Sequence, residues 1–156
     1  MKKITFLAAA LCCLLTFTFS AQAQEHYTEG PVWVINYYRT KPGKFDDYLK
    51  FLRSNFAKMS AEQKKEGLIL DAKILFQPTL NGPNDWDVAV AYLYPNYARA
   101  MDFNQADFDK GEEISAKHYK QTNRERRTAT NDAARLPLRD YVATRIMREV
   151  TLKPMP

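Results

Sequence analysis

The chain has 156 residues, of which 46% are hydrophobic, 26% charged and 13% aromatic, with five Gly, eight Pro and a formal net charge of +5. This is the composition of one ordinary globular domain; it excludes a disordered tail, a collagen-like repeat and an enzyme with separate cofactor and substrate modules. Composition alone names no reaction or ligand.

The first 23 residues have the order of a secretory signal peptide. Lys2 and Lys3 give a positive start, residues 4–15 an apolar stretch, and Ala21-Gln22-Ala23 a small-x-small junction before Gln24. A spanning helix needs about 20 apolar residues, and this run is interrupted by Thr16, Thr18 and Ser20. Cleavage after Ala23 removes both cysteines, Cys12 and Cys13. The exported chain then has no disulfide, no thiol nucleophile and no Cys-ligated metal. It also loses Lys2 and Lys3, so the basic balance belongs in part to the leader, and neither charge nor export favours a nucleic-acid partner. The expected location is periplasmic or secreted, with no integral membrane segment after cleavage. Residues 24–30 are read as a flexible N-terminal segment, 31–152 as one domain and 153–156 as a tail.

The glycines and prolines punctuate this domain. Residues 32–39 (VWVINYYR), β-branched and aromatic, predict strand 1. Lys41-Pro42-Gly43-Lys44 is a turn. Phe45, Tyr48, Leu49, Leu52, Phe56 and Met59 then recur at helical spacing, predicting one long amphipathic helix to about Glu66, closed by Gly67. Strand 2 is expected over 68–77, a polar loop over 78–85 and strand 3 over 86–94. Helical segments follow from Pro95 to about Asp109, where Gly111 is read as an interruption, and over 112–134. Lys117, Lys120, Arg124 and Arg127 fall on one stripe of that last segment, read as a solvated face in preference to a polyanion contact. Strand 4 is expected over 141–150.

The order β-α-β-β-α-β is that of a ferredoxin-like α+β domain: an antiparallel sheet with helices on one face. The bulkier strand positions, Trp33, Ile35 and Tyr37 with Val88 and Val90, are assigned to the helices. The less bulky face is expected to hold Val34, Asn36 and Tyr38, Asp71 and Lys73, Asp87, Ala89 and Ala91, and Tyr141, Arg145 and Glu149. A face of this mixed kind suits a ligand cavity and a second subunit.

The stretch from Tyr38 to Phe45, a strand ending in an aromatic, then Lys-Pro-Gly-Lys, then an amphipathic helix, resembles the dimeric α+β barrel superfamily; Trp86-Asp87-Val88-Ala89-Val90 resembles its second half. The resemblance spans residues 31–151 as an order of elements and implies a homodimer whose sheets pack face to face around ligand cavities. Members include antibiotic-biosynthesis-type monooxygenases, haem-degrading enzymes, small isomerases and non-catalytic ligand-sensing modules, so the fold leaves function open. Monooxygenases of this kind pair an Asn on strand 1 with a Trp and a His, which here implies Asn36, Trp86 and His118. His118 comes after Gly111, later than that pattern places it.

The residues themselves hold no Gly-rich phosphate loop, no Gly-x-Ser-x-Gly elbow and no His-Glu-x-x-His. His118 is the one candidate catalytic residue. With one His in the domain and no Cys, neither a metal site nor a cofactor is expected. Arg145, a charge in mid-strand, must meet solvent, a partner carboxylate or an anionic ligand. Asn36, Tyr38, Asp87 and Arg145 form the expected ligand site, suited to a planar molecule with one acidic or carbonyl group. The leading expectation is a small-molecule-binding protein; the alternative is a cofactor-free or haem-dependent monooxygenase-like, or isomerase-like, enzyme acting on an aromatic or polyketide-like compound.

Overall fold

A computed structural model describes residues 26–79, 82 and 85–155. The expected leader, its cleavage junction and both cysteines lie outside the described residues. The chain divides into two compact units. The larger is residues 29–151; of the smaller, residues 26–28 and 152–155 are described, and there the His26 carbonyl accepts a 2.8 Å hydrogen bond from the Lys153 amide.

The protein is an α+β domain with an open four-stranded antiparallel sheet in the order β2-β3-β1-β4. The elements are β1 (Tyr27–Thr40), α1 (Phe45–Ser54), α2 (Phe56–Lys65), β2 (Asp71–Phe76), β3 (Val88–Tyr94), α3 (Tyr97–Met101), α4 (Gln105–Tyr119), α5 (Arg124–Arg135) and β4 (Arg139–Leu152). Pro42 and Gly43, the latter at φ +72°, make the tight turn between β1 and α1, closed by the Lys44 amide on the Lys41 carbonyl at 2.9 Å. Gly67, at φ +71°, ends α2 as expected: its amide reaches the Lys64 carbonyl and that of Leu68 reaches Gln63.

The helix boundaries differ from the sequence expectation, including a break between Met101 and Gln105 within the helical region read from Pro95 to about Asp109. The predicted single helix over 45–66 is two helices broken at Asn55. The Ser54 hydroxyl bonds back to the carbonyls of Lys50 and Phe51, and the Asn55 side-chain amide also reaches Phe51. Side chains that compete for helix carbonyls in this way bend or break the run. Gly111 does not interrupt α4, because a single glycine costs a helix interior only about 1 kcal/mol. The predicted helix over 112–134 instead stops at Lys120, which turns into the left-handed region at φ 51°. A new helix, α5, starts where the Asn123 side chain caps the Arg126 amide at 2.9 Å. This break dissolves the basic stripe: Arg127 is buried, and Lys117 and Arg124 belong to different helices.

The strand register overturns the assignment of faces. In the β1–β3 pair Tyr38 lies opposite Val88 and Asn36 opposite Val90, while Tyr37 faces Ala89 and Ile35 faces Ala91. Residues directly opposite in an antiparallel pair share a side. Asn36 and Tyr38 therefore lie with Val88 and Val90, and Ala89 and Ala91 lie with Trp33, Ile35 and Tyr37. The helices cover the first of these sides. Tyr48 and Leu52 of α1 pack with Val88 and Val90, joined by Tyr38, Ile74, Tyr92 and Phe56. On the opposite side Ile35, Ala89 and Ala91 form a second buried group under Trp33, Tyr37 and Trp86. The error has a simple origin, since a one-residue change of register moves every side chain to the other face.

Candidate functional site

The break at Asn55 and the break at residues 120–123 together shape a cavity. Because α1 and α2 do not continue as one rod, and because α5 turns back after Lys120, a space of about 390 Å³ is left between these helices, α4 and the helix-covered side of the sheet. Tyr38, Val90 and Tyr92 come to it from β1 and β3, and Arg139 from the start of β4. Phe51, Phe56 and Met59 supply apolar wall, while Glu112, Ser115, Asn131 and Asp132 supply polar wall.

Arg139 is the distinctive group. It is only 8% exposed, and its Nε is buried without a hydrogen-bond partner. Its guanidinium lies over the Tyr38 ring, 3.3 Å from the centroid, and 5.4 Å from that of Tyr48. A ring face attracts a cation but accepts no in-plane N–H, so these contacts hold Arg139 without satisfying it. No ion pair of Arg139 forms among the described residues. Burial lowers its pKa from the usual arginine value, although an arginine keeps its charge. Burial has the opposite effect on Tyr48 and Tyr92, whose phenols are pushed above their ordinary value of 10.0 and stay protonated.

The other arginines around the cavity are engaged. Arg127 donates to the carbonyls of Gln121 and Thr122, at 2.9 and 2.7 Å, and to the Glu112 carboxylate. Arg124 reaches the other Glu112 oxygen at 3.4 Å. Arg135 meets Asp132 through Nη2 at 2.7 Å and through Nε at 2.9 Å. Tyr119 donates to Asn131 at 2.9 Å. Both carboxylates of the wall are thus committed to cations, and the lining has no His or Cys. The arrangement can hold an anion; it offers no evident general base or nucleophile.

The expected site residues are dispersed. Tyr38 lines the cavity, and Asn36, on the same side of β1, does not; its side-chain oxygen accepts a 2.7 Å bond from the Thr144 hydroxyl. Asp87 binds the Thr40 amide at 2.9 Å and the Thr40 hydroxyl, a brace across the end of β1. Arg145 is exposed on β4, outside the cavity lining. His118 lines a separate cleft of about 500 Å³ between α2 and α4, where its Nε2 lies 3.0 Å from the Asn55 side-chain oxygen. Burial and the nearby Lys58 lower its pKa from 6.5. Trp86 packs edge-on against Tyr37 on the opposite side of the sheet, with centroids 4.8 Å apart. Asn36, Trp86 and His118 therefore do not converge.

Arg139 was not singled out by the sequence, where it stands after Leu136-Pro137-Leu138 as one of many basic residues. Only its lack of a counter-charge marks it, and that is a property of the packing. Among the described residues no group of three or more His, Cys, Asp or Glu is placed to hold a metal ion, and no helix is long and apolar enough to cross a membrane. No protein-family profile matches the chain, and neither a curated protein nor a solved structure shows significant similarity to it. The class that the fold defines is a small α+β domain with a four-stranded antiparallel sheet, compatible with the ferredoxin-like arrangement.

Proposed function

We propose that this is an exported small-molecule-binding protein, with its ligand in the cavity beneath α1, α4 and α5. One observation carries this reading: a nearly buried arginine with an unpartnered Nε lines a cavity large enough for an organic molecule. A buried, unsatisfied donor on a charged group is expensive. A site that receives a ligand explains why it is kept. The enzyme alternative draws less support, because the Asn, Trp and His that the resemblance implies lie in three separate places.

The ferredoxin-like βαββαβ arrangement is supported by the sheet order β2-β3-β1-β4, with helices split between the first and second strand and between the third and fourth. A homodimer is favoured by the side of the sheet away from the helices, where Trp33 and Tyr37 are half-buried and Leu75 is exposed. Export rests on the leader pattern in residues 1–23.

A thermal-shift screen of the processed chain against small organic molecules tests the binding reading, with Ser115→Trp as a variant that fills the cavity. A hit that stabilises the wild type and leaves Ser115→Trp unshifted supports the assignment. Hits that shift both proteins equally refute it. Intact mass of protein from the cell envelope checks cleavage at Ala23–Gln24, and light scattering at micromolar concentration checks the dimer.

A further inference from the structure

The pairing of arginines with carboxylates around the cavity narrows the ligand class, on the reading above that the cavity holds a ligand. Arg127, Arg124 and Arg135 are each tied to Glu112 or Asp132, and Arg127, 4% exposed, also spends its donors on two backbone carbonyls. Among the described residues, Arg139 alone of the lining arginines has no carboxylate. Four arginines and two carboxylates line the cavity, and Arg139 is the guanidinium that neither carboxylate touches, placed in a nearly buried position. Around it stand the neutral phenol of Tyr48 and that of Tyr92, neither of which forms a hydrogen bond among the described residues.

The geometry also selects shape. The Tyr38 ring occupies one face of the guanidinium, so the N–H donors left for an incoming group lie along the edge of its plane. A planar carboxylate meets that edge side-on through two parallel N–H···O bonds. A phosphate would need donors for its further oxygens, and the other three lining arginines already hold carboxylates. Beyond Arg139 the wall is apolar at Phe51, Leu52, Phe56, Met59 and Val90. A volume of about 390 Å³ is near the lower end of the usual ligand-pocket range of about 300–1,000 Å³. We infer that the ligand is an organic monocarboxylate with a compact apolar body, its carboxylate on the edge of Arg139 and its body among the side chains of α1 and α2.

Calorimetric titration of the processed chain with three probes of one shape decides this: 2-naphthoate, its neutral amide 2-naphthamide, and 2-naphthyl phosphate. The expected order is naphthoate tightest, with Arg139→Met weakening it at least about 30-fold. Arg139→Lys keeps the charge and loses the side-on geometry, so it should retain only part of the affinity. Naphthamide binding as tightly as naphthoate would overturn the monocarboxylate while leaving the cavity a ligand site. Naphthyl phosphate binding tightest would overturn it in favour of a dianion. If none of the three binds while the small-molecule screen yields cavity hits, the ligand class is wrong; if the screen is also empty, the binding reading falls with it. The probe comparison is made on the wild-type chain, so it stands even where Arg139→Met fails to fold.

Discussion

Replacing Arg139 by Met should stabilise the unliganded protein while weakening its binding of naphthoate. Met is unbranched and adaptable, so it can follow the path of the arginine stem between Tyr38 and Tyr48. The substitution removes a buried Nε–H that has no partner. An unsatisfied buried donor costs about 1–3 kcal/mol, more on a charged group. It also removes the stacking of the guanidinium on two rings, at 3.3 and 5.4 Å from their centroids. Such contacts contribute about 0.5–2 kcal/mol, and a sulfur over the same rings returns about 0.3–1.5 kcal/mol. The difference favours Met by about 1 kcal/mol. For a domain of this size that is a rise in Tm of roughly 3–4 °C, readable by differential scanning calorimetry. A site that holds strain for its ligand gains stability when the strain is removed. A fall in Tm of several degrees, with the affinity for naphthoate unchanged, would refute this reasoning and make Arg139 a structural member of the aromatic core.

Val88→Ala, at a residue with no exposed surface, removes two methyl groups from between α1 and the sheet. It should cost about 2 kcal/mol in urea unfolding, from lost transfer energy plus a residual void. Asn123→Ala deletes the cap on α5 and should cost about 1 kcal/mol, with faster amide exchange at Arg126. His118 carries a pKa below 6.5 in the folded chain because of burial and Lys58. Its neutral form is favoured by folding, so its stabilising contribution is present above pH 6.5 and declines as pH falls from there through the lowered folded value. His118→Gln should flatten the dependence of Tm on pH in that window; an unchanged slope would show that other groups set it.

The amino-acid sequence by itself determined the local punctuation of this protein. Pro42-Gly43 and Gly67 sit where only a turn or a helix end suits them, and both positions adopt positive φ at the glycine. The strands were legible because β-branched and aromatic residues cluster between breaks, and the α+β class followed from their alternation with helical segments. The asparagines at 96, 104 and 123 each cap a helix, accepting from the amide three residues on. The same signal stands before α5 at Asn123, and it outweighs the lack of Gly or Pro over residues 112–134.

Only the tertiary structure decided the rest. Which side of β1 meets the helices depends on its register with β3, and alternation along one strand contains no information about its partner. The split at Asn55 arises from side chains competing with the backbone for the Phe51 carbonyl, a contest that apolar periodicity does not register. The candidate site depends on both. Asn36, Asp87 and Arg145 are polar residues in plausible strand positions, yet each lies outside the cavity: Asn36 meets Thr144, Asp87 meets Thr40, and Arg145 is exposed. Arg139 looks like any other basic residue in the sequence. What distinguishes it is that no carboxylate among the described residues reaches it in a buried place, and such a gap exists only once the chain has folded.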